Sequence, residues 1–192
     1  SDVLRQDYEN ADLPWDNRND AWRQGVQQMP ADGAMLSGTL LGLNDCFNIN
    51  NLWQDGVVSE PHYQYFKRLL QLLNIELAVA EQAIDWMDPD QIPRQQGAED
   101  FAYLAASPSY QTGGQAFWHE SQLNLLQAVT PTVYRSLKPY VCVLPVLRRG
   151  ASKMNINTLS PVMIRALHPN ISEALALSIY QEGGAAFSQL SG

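Results

Sequence analysis

The sequence contains no uninterrupted apolar run of about 18 residues, the length that a helix needs to cross a bilayer. Its first residues, SDVLRQDYENADLPWD, are polar and do not form a signal-peptide pattern. Basic charge is also scarce, since 12 Lys and Arg stand against 20 Asp and Glu and leave a net charge of −8. Such a chain repels nucleic-acid phosphates and anionic lipid headgroups, so nucleic acid is not a predicted partner and a cation is favoured.

Cysteine is nearly absent from the sequence. The two cysteines, Cys46 and Cys142, form neither a C-x-x-C pair nor a zinc-ligand spacing, and each lies in an apolar, strand-like run. The spacing leaves two alternatives open: two buried small apolar residues, or one disulfide bond.

Motifs for enzymatic chemistry are missing as well. The sequence has no G-x-S-x-G elbow, no P-loop and no Rossmann glycine pattern. His62, His119 and His168 are scattered among helix starts and turns, without the H-x-x-x-H spacing or the cysteine partners of a zinc site. We expect each to be a surface or capping histidine, and no catalytic residue is predicted.

The composition is typical of a globular chain, with 45% hydrophobic and 17% charged residues. Residues 34–50 and 140–144 are apolar and predict strands. Elsewhere, prolines or capping residues precede apolar residues at helical spacing. Helices are predicted after Ser59, over 75–87, and after Ser121, Thr130, Ser160 and Ser172. The fold class is therefore α+β, with helices inserted between strand elements.

An Asn-Ile-Asn step occurs twice, as Asn48-Ile49-Asn50 and as Asn155-Ile156-Asn157, each time before a helical segment. Alternate residues of a strand point to opposite faces. We expect the isoleucines to point into the core and the asparagines to hydrogen-bond backbone groups where the strands end.

Four carboxylates lie in one loop between predicted helices: Asp88, Asp90, Glu99 and Asp100, with Pro and Gly between them. Calcium takes six to eight oxygen ligands and accepts backbone carbonyls and water, whereas magnesium demands near-ideal octahedral geometry and fits less well. The spacing is not that of an EF-hand, so by itself it favours a solvated loop. Asp85 is a less favoured contributor because it falls on the helix side of the neighbouring Trp86.

A second acidic group, Asp12, Asp16 and Asp20, has a D-x-x-x-D-x-x-x-D spacing. On a helix these residues would share one face, but Pro14 and neighbouring asparagines indicate a loop. We interpret the group as surface charge, with calcium as the lesser alternative.

Four segments, found in the right order over nearly the whole chain, carry a family resemblance. They are GTLLGLNDCFNINNL, GAEDFAYLAASPSY, ESQLNLLQAVTPTVYRSLKPYVCVLP and KMNINTLSPVMIRAL. Together they resemble the minor pseudopilin GspK family of the type II secretion system. The resemblance implies a pilin-like sheet body with a large helical insertion of sterile-alpha-motif-like modules, and no catalytic activity. It divides the chain into a first part of the pilin-like body (1–53), the insertion (54–138), and a strand with a second helix pair that returns to the body (139–192).

The resemblance also implies a function. Members of the family cap the tip of the pseudopilus and assemble with GspI and GspJ, and the exoprotein and the secretin are further contacts to consider. It favours calcium at Asp88, Asp90, Glu99 and Asp100. A periplasmic location, which is oxidising, also permits a Cys46–Cys142 disulfide. The expected location is the periplasmic domain of a protein anchored in the inner membrane by an N-terminal helix. That helix and the last strands of the sheet are expected to lie outside this sequence.

The alternative from another class is a helix-hairpin-helix protein that binds nucleic acid, suggested by MNINTLSPVMIRALHPNIS. Such hairpins usually present backbone amides to phosphate through a glycine-containing turn, and the turns here have no glycine. Arg148, Arg149 and Lys153 form only a small basic spot on an acidic chain. The sequence therefore favours the assembly protein.

Overall fold

The computed structural model describes residues 16–24, 26–31, 33–38, 42–145 and 150–188. Within these ranges the protein is a mixed helix and sheet structure, with short strands and longer helices joined by 3-10 turns. The helices are α1 (Glu60–Leu72), α2 (Ala78–Met87), α3 (Asp100–Leu104), α4 (Pro131–Leu137), α5 (Pro161–Leu167) and α6 (Glu173–Tyr180). The strands are β1 (Val26–Ala31), β2 (Ala34–Gly38), β3 (Phe47–Asn48), β4 (Trp53–Gln54), β5 (Val57–Val58) and β6 (Val141–Cys142).

In the part of the chain that the structure describes, the strands pair in three small two-stranded sheets. Strands β1 and β2 are antiparallel, as are β4 and β5. Strand β3 instead pairs in parallel with β6, which lies far along the chain, with Asn48 opposite Cys142. The parallel pair therefore brackets the helices α1 to α4.

Three of the predicted helix starts are confirmed by their caps. The side-chain oxygens of Thr130, Ser160 and Ser172 each accept a hydrogen bond from the backbone N–H three residues further on. These bonds satisfy donors that the first turn of a helix leaves without a partner.

The predicted helix after Ser121 is wrong. Residues Glu120–Leu125 form a 3-10 helix instead, and Leu126 is extended. His119 and Gln122 cap its start in a capping box. Near its end, the Asn124 side chain donates to the carbonyl of Ser121 at 3.0 Å, a local bond that competes with α-helical continuation.

The core lies where α1 meets strand β3 and helix α5. Phe47 stacks on Phe66 and Tyr65, with ring centroids 5.3 and 5.1 Å apart. The Tyr65 hydroxyl donates to the carbonyl of Met163 at 3.2 Å, which joins α1 to α5. Among the described residues, no helix is long and apolar enough to cross a membrane.

Beside this core, Cys46 and Cys142 are joined by a disulfide, with their α-carbons 5.7 Å apart. The bond lies next to the pairing of β3 with β6, since Asn48 is opposite Cys142. It links two positions separated by 96 residues. The strands on either side of helices α1 to α4 are thereby covalently tied.

The expectation for the two Asn-Ile-Asn steps is confirmed for the hydrogen bonds. The Asn48 side chain accepts from the N–H of Asn50, and the Asn155 side chain accepts from that of Asn157. Ile49 is fully buried. Asn48 and Asn50 are buried too, so their side-chain amides form hydrogen bonds in the interior of the protein and not at its surface.

Candidate metal centre

Three carboxylates converge at one end of helix α2. Oxygen atoms of Asp85, Asp88 and Glu99 all lie within 4.8 Å of one another. The three side chains are buried, with 0%, 6% and 4% of their residue surface exposed. The structure therefore brings Asp88 and Glu99 of the predicted set together, and it adds Asp85, which the sequence analysis did not favour.

Two of these acids owe their proximity to helix geometry. Asp85 lies in the last turn of α2, and Asp88 is the residue at which the helix ends. Residues three apart on a helix share a face, so both carboxylates point the same way. Glu99 comes from the far side of the loop, immediately before α3.

The loop between α2 and α3 folds back onto Asp85. The backbone N–H of Arg94 donates to Asp85 Oδ2 at 3.1 Å. Gly97 lies so close that a β-carbon on it would be 1.8 Å from the same oxygen. Only glycine, which has no side chain, allows this approach.

The side chain of Arg94 also attaches the loop to helix α2. Arg94 Nε donates to Glu81 at 2.8 Å, and Glu81 also accepts a hydrogen bond from the Tyr63 hydroxyl. The Arg94 guanidinium lies 5.7 Å from the centre of the Tyr63 ring. This positive charge is paired with Glu81, and it only partly offsets the rise in the pKa of Asp85 and of Asp88.

The clustered acids are electrostatically unfavourable when ionised. Burial raises the pKa of Asp85 to about 6, and the charge of Asp88 adds to the effect. Burial, together with Asp85 and the other nearby acids, raises the pKa of Glu99 to about 8. Burial also raises the pKa of Asp88, to which the charge of Asp90 contributes. Each shift shows that the site favours a proton or another positive charge.

The buried oxygens of the cluster also have no hydrogen-bond partners among the described residues. These atoms are Asp85 Oδ1, Asp88 Oδ1 and both carboxylate oxygens of Glu99. Burying a carboxylate oxygen without a partner is costly, so a proton or a cation shared among these oxygens would stabilise the cluster. A group of hard oxygen donors of this charge suits calcium, whose remaining ligands can be carbonyls and water.

The other two predicted ligands have different roles in the structure. Asp90 is exposed and accepts a hydrogen bond from the N–H of Ile92 at 2.7 Å, as in a turn. Asp100 accepts from the N–H and the hydroxyl of Thr112, both at 2.8 Å. Neither residue belongs to the group within 4.8 Å, although both add negative charge near Glu99.

The remaining candidates have local roles where the structure describes them. Asp16 is exposed and Asp20 accepts from the N–H of Asn17, in agreement with a surface loop, whereas Asp12 lies outside the described residues. The ring nitrogens of the histidines bond nearby groups: His62 to the Ser59 hydroxyl, His119 to the N–H of Ser121, and His168 to the N–H of Asn170. Lys153 is exposed, and Arg148 and Arg149 lie outside the described residues.

Sequence comparison places the chain among known proteins. A family model described as "Type II secretion system (T2SS), protein K" matches residues 45–146. The type II secretion system protein K of Pectobacterium carotovorum subsp. carotovorum is 36% identical over 149 residues, which cover 72% of this chain and 44% of that protein. The protein K of Klebsiella pneumoniae is 34% identical over 160 residues, which cover 77% of this chain and 48% of that protein. The chain thus spans about half the length of the curated relatives it matches.

A solved structure gives the same result. It is a chain of the GspK-GspI-GspJ complex from the type 2 secretion system of enterotoxigenic Escherichia coli, with a TM-score of 0.72 and 27% identity. The match covers 90% of this chain and 62% of that one. These comparisons give no support to the helix-hairpin-helix alternative. The chain belongs to the type II secretion system protein K family.

Proposed function

We propose that this chain is part of a minor pseudopilin that acts by assembly and not by catalysis. It joins subunits of the GspI and GspJ type and caps the tip of the pseudopilus. The observation that carries this proposal is the match over 90% of the chain, at a TM-score of 0.72, to a protein solved within a GspK-GspI-GspJ complex.

The proposed architecture is a pilin-like body, residues 1–53 and 139–192, interrupted by a helical insertion at 54–138 with modules of the sterile-alpha-motif type. The parallel pairing of β3 with β6 and the disulfide beside it support these boundaries, because both join the two ends of the helical region. A bulky insertion on a pilin-like body would leave no room for a further subunit above it in a narrow filament, so a position at the tip follows from size.

The proposed location is the periplasmic side of the inner membrane, where the protein is held by an N-terminal helix of the kind its family uses. The Cys46–Cys142 disulfide supports this location, since such bonds persist in the bacterial periplasm and are rare in the cytosol. The exoprotein and the secretin are the proposed contacts of the insertion.

Calcium is the proposed structural ligand, held by Asp85, Asp88 and Glu99. The ion would supply positive charge to three buried carboxylates that otherwise repel one another. The chain's own contribution is to position these acids. Helix α2 aligns Asp85 with Asp88, and the loop closed by Arg94 and Gly97 brings Glu99 to them.

Assembly is tested by mixing this chain with the soluble domains of GspI and GspJ from the same organism, followed by sedimentation analysis. A stable complex of defined stoichiometry supports the proposal. A chain that is folded by circular dichroism yet sediments alone in the presence of both partners contradicts it. Repeating the mixture with chelator shows whether calcium is needed for assembly or only for the loop.

A further inference from the structure

The hydroxyl of Tyr103 is a buried donor without an acceptor. Tyr103 lies in helix α3, and none of its surface is exposed. In the part of the chain that the structure describes, no hydrogen-bond partner reaches its hydroxyl oxygen. Leaving a buried polar group unpaired is costly, so such a group in a native protein indicates a role or a ligand.

Tyr103 lies between the two segments that supply the clustered acids. Glu99 is four residues earlier, and its carbonyl accepts a hydrogen bond from the backbone N–H of Tyr103 at 3.4 Å, at the start of α3. On the other side, the Tyr103 ring packs edge-on against the ring of Trp86, with the centroids 5.7 Å apart. Trp86 directly follows Asp85. The tyrosine thus contacts both helix α2, which carries Asp85, and the turn that carries Glu99.

The electrostatics agree with this position. Burial raises the pKa of Tyr103, and so do Tyr110 and the charges of Asp85 and Glu99. Coulomb interactions weaken with distance, so the phenol lies near both acids. A tyrosine whose pKa is raised stays neutral and keeps the O–H that makes it a hydrogen-bond donor. An unpaired donor and unpaired carboxylate oxygens therefore share one buried region.

The oxygens of the cluster are not all needed by one ion. Asp85 Oδ2 already accepts from the N–H of Arg94, which leaves Oδ1 for a cation. Asp88 offers Oδ1, whereas both oxygens of Glu99 are unpartnered among the described residues. When each acid gives one oxygen to the ion, one oxygen of Glu99 stays buried and needs a donor. Tyr103 carries an unpaired donor four residues away.

We propose that Tyr103 is a positioning residue of the metal centre, whose hydroxyl donates to the Glu99 oxygen that is left over when the other one binds calcium. The inference rests on the proposed calcium ligand and adds to it a residue outside the acidic set. No hydrogen bond joins Tyr103 to Glu99 in the structure, so this bond forms together with ion binding. A hydrogen bond from an outer residue orients a metal-binding carboxylate and raises the affinity of the site.

Tyr103→Phe tests the proposal, because it removes the hydroxyl and keeps the ring that packs against Trp86. In calorimetric titrations with calcium, we expect a Kd about tenfold higher than that of the parent chain. In chelator the variant should melt at or above the parent, since it loses a buried hydroxyl that has no partner. The opposite signs of the two effects separate loss of positioning from general damage to the fold.

Tyr110→Phe is the matched control. The Tyr110 ring lies 5.2 Å from that of Tyr103, but its hydroxyl donates to the carbonyl of Leu125 at 2.7 Å and not to an acid. This variant should leave the calcium Kd unchanged and should melt slightly below the parent in chelator and in calcium alike, because it loses a formed hydrogen bond.

Ultraviolet difference spectra observe the tyrosine itself. Calcium should shift the tyrosine absorbance of the parent, because a phenol O–H gains a carboxylate acceptor. The shift should persist in Tyr110→Phe and disappear in Tyr103→Phe.

The outcomes separate this inference from the proposed calcium ligand. A parent chain that binds no calcium overturns both. A parent that binds calcium, with an unchanged Kd and an unchanged tyrosine shift in Tyr103→Phe, overturns only the role of Tyr103 and indicates that Glu99 gives both oxygens to the ion. An equal loss of affinity in Tyr103→Phe and Tyr110→Phe also overturns that role, since it shows that loosening of the aromatic packing weakens the site.

Discussion

Gly97 lies against the carboxylate of Asp85, at a distance that leaves no room for a β-carbon. A β-carbon on Gly97 would stand 1.8 Å from Asp85 Oδ2 and 2.9 Å from the backbone nitrogen of Arg94. That nitrogen is the group that donates to Asp85 Oδ2. The glycine is therefore what allows the loop to close over the end of α2 and to carry Glu99 to the other two acids.

We predict that Gly97→Ala lowers the calcium affinity of the candidate metal centre. Relieving the overlap requires that Asp85 or the loop move, and displacing the support of a metal ligand typically costs roughly ten- to a hundredfold in affinity. Calcium titration followed by calorimetry measures the loss. Gly38→Ala is the matched control, because a β-carbon at Gly38 meets nothing within 4 Å. Unchanged calcium affinity in Gly97→Ala would contradict the closed-loop geometry.

The clustered acids should respond to calcium differently from the two outer acids. In chelator at pH 8, we expect Asp85→Asn and Glu99→Gln to keep or gain stability, because each replaces a carboxyl group whose ionisation is disfavoured by burial and by the neighbouring acids. In calcium, the parent chain should gain about 2.7 kcal/mol at a hundredfold excess over Kd, and these variants should gain little. Thermal melts with and without the ion provide the measurement.

Asp90→Asn is the matched control for that experiment, since Asp90 is a carboxylate of the same loop that lies outside the cluster. It should retain most of the response to calcium. Loss of the response in Asp90→Asn, together with a normal response in Asp85→Asn, would restore the ligand set expected from the sequence. Addition of magnesium in place of calcium should stabilise the parent chain less.

The metal-free chain should lose stability as the pH rises. The pKa of Glu99 is raised from its ordinary 4.5 to about 8, and that of Asp85 from 3.8 to about 6. Between the ordinary and the raised pKa values, the folded state keeps protons that the unfolded state has released, so stability falls as these groups ionise. In chelator, we expect a lower Tm at pH 8 than at pH 5.

Calcium should reverse that trend, because it binds the ionised carboxylates and competes with protons for them. The gain in Tm on adding calcium should therefore be larger at pH 8 than at pH 5. Glu99→Gln should flatten both dependences, since its amide does not titrate. A metal-free melt that rises between pH 5 and pH 8 would contradict the assignment of raised pKa values to these acids.

The features that the sequence predicted correctly are mostly local. Three helix starts can be read from the sequence because a capping side chain accepts a hydrogen bond from the backbone N–H only three residues further on. The capping residues are Thr130, Ser160 and Ser172. The turns at Asn48 and Asn155 are equally local. Residues within one turn of each other carry the whole signal, so no knowledge of the tertiary fold is needed to read it.

Asp85 could not be predicted as a site residue in the same way. Its position on the helix side of Trp86 argues against it in the sequence, and its place in the cluster depends on Glu99, 14 positions further on, being folded back to it. The spacing of Asp85 and Asp88 on one helix face was the available signal. The runs GGQAF (113–117) and GGAAF (183–187) are another missed signal, because only the structure shows that the side chains of Asn50 and Asn157 bond the backbones of Phe117 and Phe187.

The disulfide provides a last prediction. It closes a separation of 96 residues, for which the chain-entropy model gives a contribution of about 4–5 kcal/mol. The double variant Cys46→Ser/Cys142→Ser should therefore have a Tm well below that of the parent, and reduction of the parent should lower its Tm to a similar value.

The β3–β6 pairing should loosen first, because Asn48 and Cys142 face each other there. Hydrogen exchange at Phe47 and Val141 reports this loosening. A control in the same reductant is the serine pair itself, whose Tm should not change. If reduction leaves the parent's Tm where it was, the Asn48 and Asn50 bonds to Leu144 hold the strands together without the covalent link.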